Sequence, residues 1–329
     1  MFCQRGIPVN IQDTVISFYK FVPVDDPQAL RNKLKKLCDQ LDTKGTILLA
    51  SEGMNGMISG SPESIETLIN EIHKDPRFSD VEFKKSFHSD VSFRRMLVKV
   101  KKYIVTMRKD VDPLAETGEY LDPIEFKKWQ DEGKELLILD TRNDYEVALG
   151  TFTNAIDPKI THFDQFPDWI SKNLQDSKDK PIVTFCTGGI RCEKATAFML
   201  QQGFKKVYQL EGGIIKYLEK TLLEEGDNHW EGDCVVFDKR KAITKKLEPT
   251  TKEICYVCLT ELHETNTHQD VFPAGKACDS CGNAMKESHK LRLEKGLAKH
   301  KENLSRRARF LASEREKYAG ENTGQDNTI

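Results

Sequence analysis

Between residues 13 and 107 the apolar positions switch repeatedly between the roughly two-residue repeat of a strand and the roughly 3.6-residue repeat of a helix. Thr14–Val22 is rich in β-branched and aromatic residues and predicts a strand. Leu30, Leu34, Leu37 and Leu41 recur at helical spacing within Pro27–Leu41. Gly45–Ala50 and Gly53–Ser59 predict two strands about the turn SEGMNG. Ser61-Pro62 supplies an N-cap and first-turn residue for a second helix reaching His73. Val81–Phe87 and Met96–Met107 predict further strands. The order β-α-β-β-α-β predicts a ferredoxin-like domain over 1–110, followed by a linker at 111–121.

Beyond the linker the pattern changes to short, continuous apolar runs separated by helical stretches. Glu135–Leu139, Pro181–Phe185 and Lys206–Leu210 predict buried strands, with helices at Pro123–Asp131, after Arg191, and up to about Leu223. Such alternation implies a parallel α/β sheet over 122–225, with its chemistry at the strand carboxyl ends. Asp140 and Cys186 stand at such ends. A cysteine-rich module is predicted at 226–285, and a basic helix with a polar tail at 286–329.

Composition narrows the function. The chain has 329 residues and a formal net charge of −2, so any nucleic-acid surface is local rather than global. One local candidate is SFRRMLVKVKKYIVTMRK, which carries Arg94, Arg95, Lys99, Lys101, Lys102, Arg108 and Lys109 either as a solvated strand face or as a phosphate-contacting strip. GTILLAS and GMNGMIS lack the aromatics of an RNA-recognition sheet. The N-terminus has no basic region followed by an apolar stretch, and no run approaches a membrane span, so a cytoplasmic protein is expected. Nine cysteines in that setting point to metal binding or catalysis rather than a disulfide framework.

Two cysteine motifs follow. Cys255, Cys258, Cys278 and Cys281 form C-x2-C-x19-C-x2-C, the spacing of a closed structural zinc site. Cys186 closes a strand and opens the loop Thr187, Gly188, Gly189, Ile190, Arg191, Cys192 at a helix N-terminus. Converging N–H groups and the helix dipole predict a thiolate nucleophile there. The loop spans six residues from Cys186 to Arg191, one short of the phosphatase spacing C-x5-R. Arg191 serves either an anion or loop bracing, and Cys192 either resolves an oxidised Cys186 or packs beneath it. Asp140, Arg142 and Glu146 are expected to support the loop through a buried ion pair. His162-Phe163-Asp164 carries the H-x-D of an iron triad, whose second histidine would be His229 or His268, neither in an evident strand, and Phe163, Phe166 and Trp169 stand either over the thiol or in the core.

The set LDTR-x3-E (Asp140, Arg142, Glu146), Gly150, Cys186 at a strand end and LEGG before a helix resembles the rhodanese domain over about 122–225. With GTILLASEGMNG, CTGGIRCEKA, WEGDCVVFDKR and the paired CxxC, the chain from about 12 to 285 resembles the rhodanese-containing tRNA uridine hydroxylases. That resemblance implies oxygen-dependent conversion of the wobble uridine in the tRNA anticodon loop to 5-hydroxyuridine. It also implies an essential, persulfide-forming Cys186, molecular oxygen as co-substrate, and an electron donor that the chain does not reveal. A rhodanese-type sulfurtransferase is the alternative.

Overall fold

The computed structural model describes residues 13–88, 93–238, 240–255, 257–267 and 276–288. The chain forms two compact units, Met1–Thr251 and Lys252–Ile329. All but the first three residues of the expected basic tail, 286–329, lie outside the described residues.

The first unit begins with β1 (Asp13–Phe21), α1 (Pro27–Gln40), β2 (Lys44–Ala50), β3 (Gly53–Gly60), α2 (Pro62–His73), β4 (Lys84–His88) and β5 (Met96–Val100). Both helices start where the residue types dictate. The Asp26 carboxylate accepts from the N–H groups of Gln28 and Ala29, and the Ser61 hydroxyl accepts from Ser64, with Pro27 and Pro62 in the first turns. The sheet order is β4-β1-β3-β2-β5, the ferredoxin-like arrangement with β5 added parallel to β2. The last predicted strand is shorter than expected: regular pairing stops at Val100 rather than Met107.

Alternation divides this sheet between two tasks. Ile16, Phe18, Ile47, Leu49, Met54, Ile58 and Val98 pack on Leu30, Leu34, Ile65, Leu68 and Ile72 of the helices. The opposite face carries Ser17, Tyr19, Thr46, Leu48, Asn55 and Met57, with Lys84 paired to Ser17. This helix-free face is turned toward the second half of the unit.

That half contains β6 (Glu119–Leu121), α3 (Pro123–Asp131), β7 (Leu137–Asp140), α4 (Asp144–Leu149), β8 (Gly150–Phe152), α5 (Phe166–Asn173), β9 (Pro181–Phe185), α6 (Ile190–Gln201), β10 (Lys206–Leu210) and α7 (Gly213–Thr221). Its four strands are parallel in the order β6-β10-β9-β7. One core combines the sheet with α5 and α6, the other with α3 and α7. Because β6 pairs with β10, the α/β sheet recruits residues 119–121 from the expected linker.

The stretch after α7 adds β11 (Trp230–Gly232), β12 (Cys234–Val235) and β13 (Ala242–Ile243). The expected Cys-rich module starts later than 226. β11 pairs with β8, and Trp230, Cys234, Val236 and Ile243 are buried in the core shared with Phe152 and Tyr217, so 226–251 packs with the first unit. No helix among the described residues is long and apolar enough to cross a membrane.

Trp230 is 2% exposed and meets Phe152 edge-on at 5.1 Å. Trp230→Ala is expected to destabilise the first unit by about 3–5 kcal/mol in urea unfolding. An unchanged midpoint would mean that 226–251 is not part of that core.

Candidate active site

Cys186 lies immediately after β9, 1% exposed, at the base of a cavity of about 880 Å³. Thr187, Gly188, Ile190 and Arg191 line the cavity with it. The Gly189 N–H donates to Cys186 Sγ at 3.0 Å. Burial disfavours the Cys186 thiolate, but the Cys192 thiol, the Arg191 charge and the N–H groups of Arg191 and Gly189 outweigh it and hold the thiol well below its ordinary range. Cys192 moves the opposite way, raised by burial and by the neighbouring thiolate. Cys234, equally buried, is pushed up to about 12 by burial, which the Arg142 charge does not offset. The contrast isolates the donors around Cys186 as the cause of its acidity.

Two buried ion pairs shape the loop from below, where one was expected. Arg191 donates to both oxygens of Glu146, at 2.6 and 2.8 Å. Glu146 also accepts from the Asn143 N–H at 3.1 Å, closing a capping box at the start of α4. Arg142 grips Asp140 through Nε and Nη2 and donates to the Gly150 carbonyl at 2.6 Å, while the Thr151 hydroxyl donates to Asp140 at 2.9 Å. Arg191 therefore braces the loop rather than waiting for an anion. Cys192 is fully buried beneath the loop beside Thr141.

From the other side, the N-terminus of α7 donates to loop carbonyls: Ile214 to Cys186 at 3.0 Å and Ile215 to Thr187 at 3.2 Å. This approach requires Gly213. It has φ +69°, and a Cβ there would sit 2.4 Å from the Cys186 carbonyl oxygen.

The ferredoxin-like half completes the site, which motif reading did not foresee. The Tyr19 hydroxyl donates to Glu193 at 2.9 Å and sits where a Cβ on Gly189 would meet it at 2.8 Å. Glu193 also accepts from Tyr120, Thr117 and Gln209, a carboxylate satisfied by neutral donors. Burial, then the Glu193 charge, raises the Tyr19 phenol well above its usual value, so it stays a donor. Lys84 donates to the carbonyls of Gly188 and Gly212, both at 2.6 Å. Lys194 of α6 reaches back to Glu52 at 2.7 Å with its side chain 1% exposed. The one sequence signal that could have found this face is the alternation of Ser17 and Tyr19 with Ile16 and Phe18 along the first strand.

Other sequence candidates fall elsewhere. Phe163 and Phe166 are buried in the core beside α5 and α6, not over the thiol. Asp164 pairs with Arg108 at 2.7 Å, and His229 meets Asp131 at 2.7 Å, so they do not join His162 around a metal, and His268 lies outside the described residues. Among the described residues, the one group of side chains placed to hold a metal is Cys255, Cys258, Cys278 and Cys281, whose sulfurs lie within 4.8 Å of one another.

The local chemistry predicts that iodoacetamide alkylates Cys186 at pH 7 nearly as fast as at higher pH, unlike an ordinary thiol of pKa ~8.5. Cys192→Ala removes a donor to the sulfur and is expected to move the profile to higher pH. Peptide mass spectrometry of the alkylated chain reads both; a wild-type rate falling tenfold per unit through the neutral range contradicts the assignment.

Residues 14–104 match the family described as UPF0176 acylphosphatase like domain, and residues 122–220 the Rhodanese-like domain. A rhodanese-like domain protein from Staphylococcus aureus is 28% identical, covering 34% of this chain and 96% of that one with a TM-score of 0.27. A rhodanese-like domain from Anabaena sp. is 21% identical, covering 35% and 80%, with a TM-score of 0.28. A tRNA uridine(34) hydroxylase from Teredinibacter turnerae is 41% identical over 268 residues, 81% of this chain and 83% of that protein. With both domains matched and likeness of that extent, the chain belongs to the tRNA uridine(34) hydroxylase family.

Proposed function

We propose that this protein is an oxygen-dependent oxidoreductase that hydroxylates C5 of uridine 34 in the tRNA anticodon loop, with Cys186 as its nucleophile. The observation that carries this reading is the placement of an acidic thiol at the floor of a cavity of about 880 Å³. That space is large enough to admit a flipped nucleoside. Cys186 adds to C6 of the ring, C5 becomes nucleophilic and takes an electrophilic oxygen derived from molecular oxygen. Loss of the C5 proton and expulsion of the thiolate restore the ring. An external two-electron donor reduces the second oxygen atom to water.

The rim supplies contacts for the neighbouring nucleotides. Leu114, Tyr120 and Phe237 line the cavity and are 51%, 58% and 53% exposed, offering apolar and aromatic surface to splayed bases. Lys99 is in register with cavity-lining Leu48 on β2, and exposed Lys101 and Lys102 follow it, so the basic strip reaches the sheet edge beside the cavity. Phosphates of the anticodon loop are its natural partners in the cytoplasm.

The four cysteines of the second unit hold a structural zinc ion. Tetrahedral Zn–S bonds of about 2.3 Å separate sulfurs by about 3.8 Å, and the observed cluster accommodates that set. Tetrathiolate ligation leaves no open position for chemistry. Metal analysis of the purified chain is expected to find about one zinc per molecule. Loss of that zinc in Cys278→Ser should leave the Cys186 alkylation profile unchanged; full zinc in that variant would reject the ligand set.

Nucleoside analysis of tRNA tests the main reading. Cells lacking the protein are expected to lose 5-hydroxyuridine-derived nucleosides, with wild type restoring them and Cys186→Ser failing to do so. Unaltered tRNA, together with sulfur transfer from thiosulfate by the purified protein, would identify a sulfurtransferase instead.

A further inference from the structure

Lys84 is the unusual cation of the cavity. Arg191 is neutralised by Glu146, and Lys20 by Asp80. Lys84 also lines the cavity, but among the described residues no carboxylate lies within ion-pairing distance of it. Two of its three N–H donors are spent on the Gly188 and Gly212 carbonyls, at 2.6 Å each. Those bonds anchor Nζ against the catalytic loop, 3.7 Å from where a Cβ on Gly188 would stand. The third donor remains for a ligand.

A half-buried ammonium needs a negative group near it. Burial lowers its pKa, and the Lys216 charge acts in the same direction. The Cys186 thiolate leads the opposing influences, followed by Glu219 and Glu82. In the resting site the thiolate therefore supplies the main compensating charge. Adding that sulfur to C6 of a uracil ring removes the charge from sulfur. The S–C6 bond forms, the C5=C6 pair moves into C4–C5, and the C4 carbonyl pair moves onto oxygen. The negative charge relocates within the cavity, while Lys84 stays fixed by the loop.

We propose that Lys84 is a catalytic residue that donates to the C4 carbonyl oxygen of the target uracil and stabilises the charge placed there when Cys186 adds to the ring. This assignment rests on the uridine-hydroxylating reading above. The ferredoxin-like domain thereby supplies the electrophilic half of the site, and the rhodanese-like domain the nucleophilic half. No oxidant enters the step. Reversal after water has protonated C5 and the original C5 hydrogen has been removed expels the thiolate and returns the uracil with that hydrogen exchanged.

That reversal gives the test. Full-chain protein is incubated without oxygen with a tRNA transcript carrying deuterium at uridine C5. The anticodon fragment is then isolated, and deuterium loss at position 34 is followed by mass spectrometry. Wild type is expected to wash deuterium out, and Cys186→Ser is expected not to. Lys84→Met should slow exchange by about 100- to 1,000-fold, the usual effect of deleting a donor to a developing oxyanion. Its iodoacetamide rate at alkaline pH should stay at the wild-type value, and Lys84→Arg should recover part of the exchange.

Unchanged exchange in Lys84→Met overturns the assignment. Exchange and alkylation slowed equally also overturn it, because the lysine then acts through the loop. Wild type that hydroxylates position 34 aerobically but never exchanges C5 rejects ring addition, and this role with it, while sparing the family reaction. Wild type that does neither rejects the functional reading itself.

Discussion

Keeping a sulfur anion on a buried cysteine is the constraint from which the rest of the site follows. Burial alone drives a thiol toward its neutral form, as at Cys234, whose thiol burial pushes up to about 12. Cys186 escapes because donors converge on it: the Gly189 N–H at 3.0 Å, the Cys192 thiol and the Arg191 charge. Each donor needs support. Arg191 would be a costly buried cation without Glu146, and Glu146 is positioned by the capping box of α4. Removing one partner from a buried pair costs about 3–5 kcal/mol, whereas an exposed pair contributes about 0–1 kcal/mol. The ion pairs beneath the loop therefore matter for its geometry in a way that Lys205–Asp179, at 72% and 79% side-chain exposure, does not.

The same constraint explains why the ferredoxin-like sheet has two differentiated faces. One face is occupied by α1 and α2 and is ordinary core. The other carries Tyr19, Asn55, Lys84 and Thr46 among apolar residues, a mixture that suits a wall over a reactive centre. Tyr19, with its pKa raised, stays a donor to Glu193, and Lys84 ties together two turns that both border the thiol. The Lys194–Glu52 bridge, with Lys194 also bonded to the Val105 carbonyl at 3.1 Å, holds the first turns of α6 against the segment after β5. The absence of RNA-recognition aromatics from β2 and β3 is consistent with this role: the sheet faces the thiol.

Local patterns were legible where they coincide with secondary-structure periods. The ferredoxin-like order, the parallel strands and the strand-end position of Cys186 all followed from periodicity. The loop cysteine, its glycines and the four zinc-spaced cysteines were visible as motifs, and the latter converge in space. Contacts between distant segments were not legible. Glu146 and Arg191 are 45 residues apart and looked like members of separate sets. Lys84 and Gly188 are 104 apart, and nothing in KKSFH marks one lysine as internal. The short strands β11–β13 escaped because two- and three-residue pairings leave no periodic trace. Their placement shows why the Cys-rich boundary falls after Thr251: Trp230 closes the aromatic cluster of Phe126, Phe152 and Tyr217.

The loop length then takes on a physical meaning beyond family resemblance. Arg191 is turned down onto Glu146 and its charge is neutralised, so among the described residues no free guanidinium lines the cavity floor. What remains at the floor is the Cys186 sulfur with the Gly189 N–H at 3.0 Å, and Lys84, which among the described residues has no carboxylate partner. A neutral, electron-poor ring suits that environment better than a dianion, because it accepts the sulfur's charge and spreads it toward the lysine without adding a second negative charge to a site already holding Glu193 and Cys186. On the proposed reading, a preference for a nucleobase over a phosphate follows from where one arginine points, and that direction is set by the carboxylate beneath it.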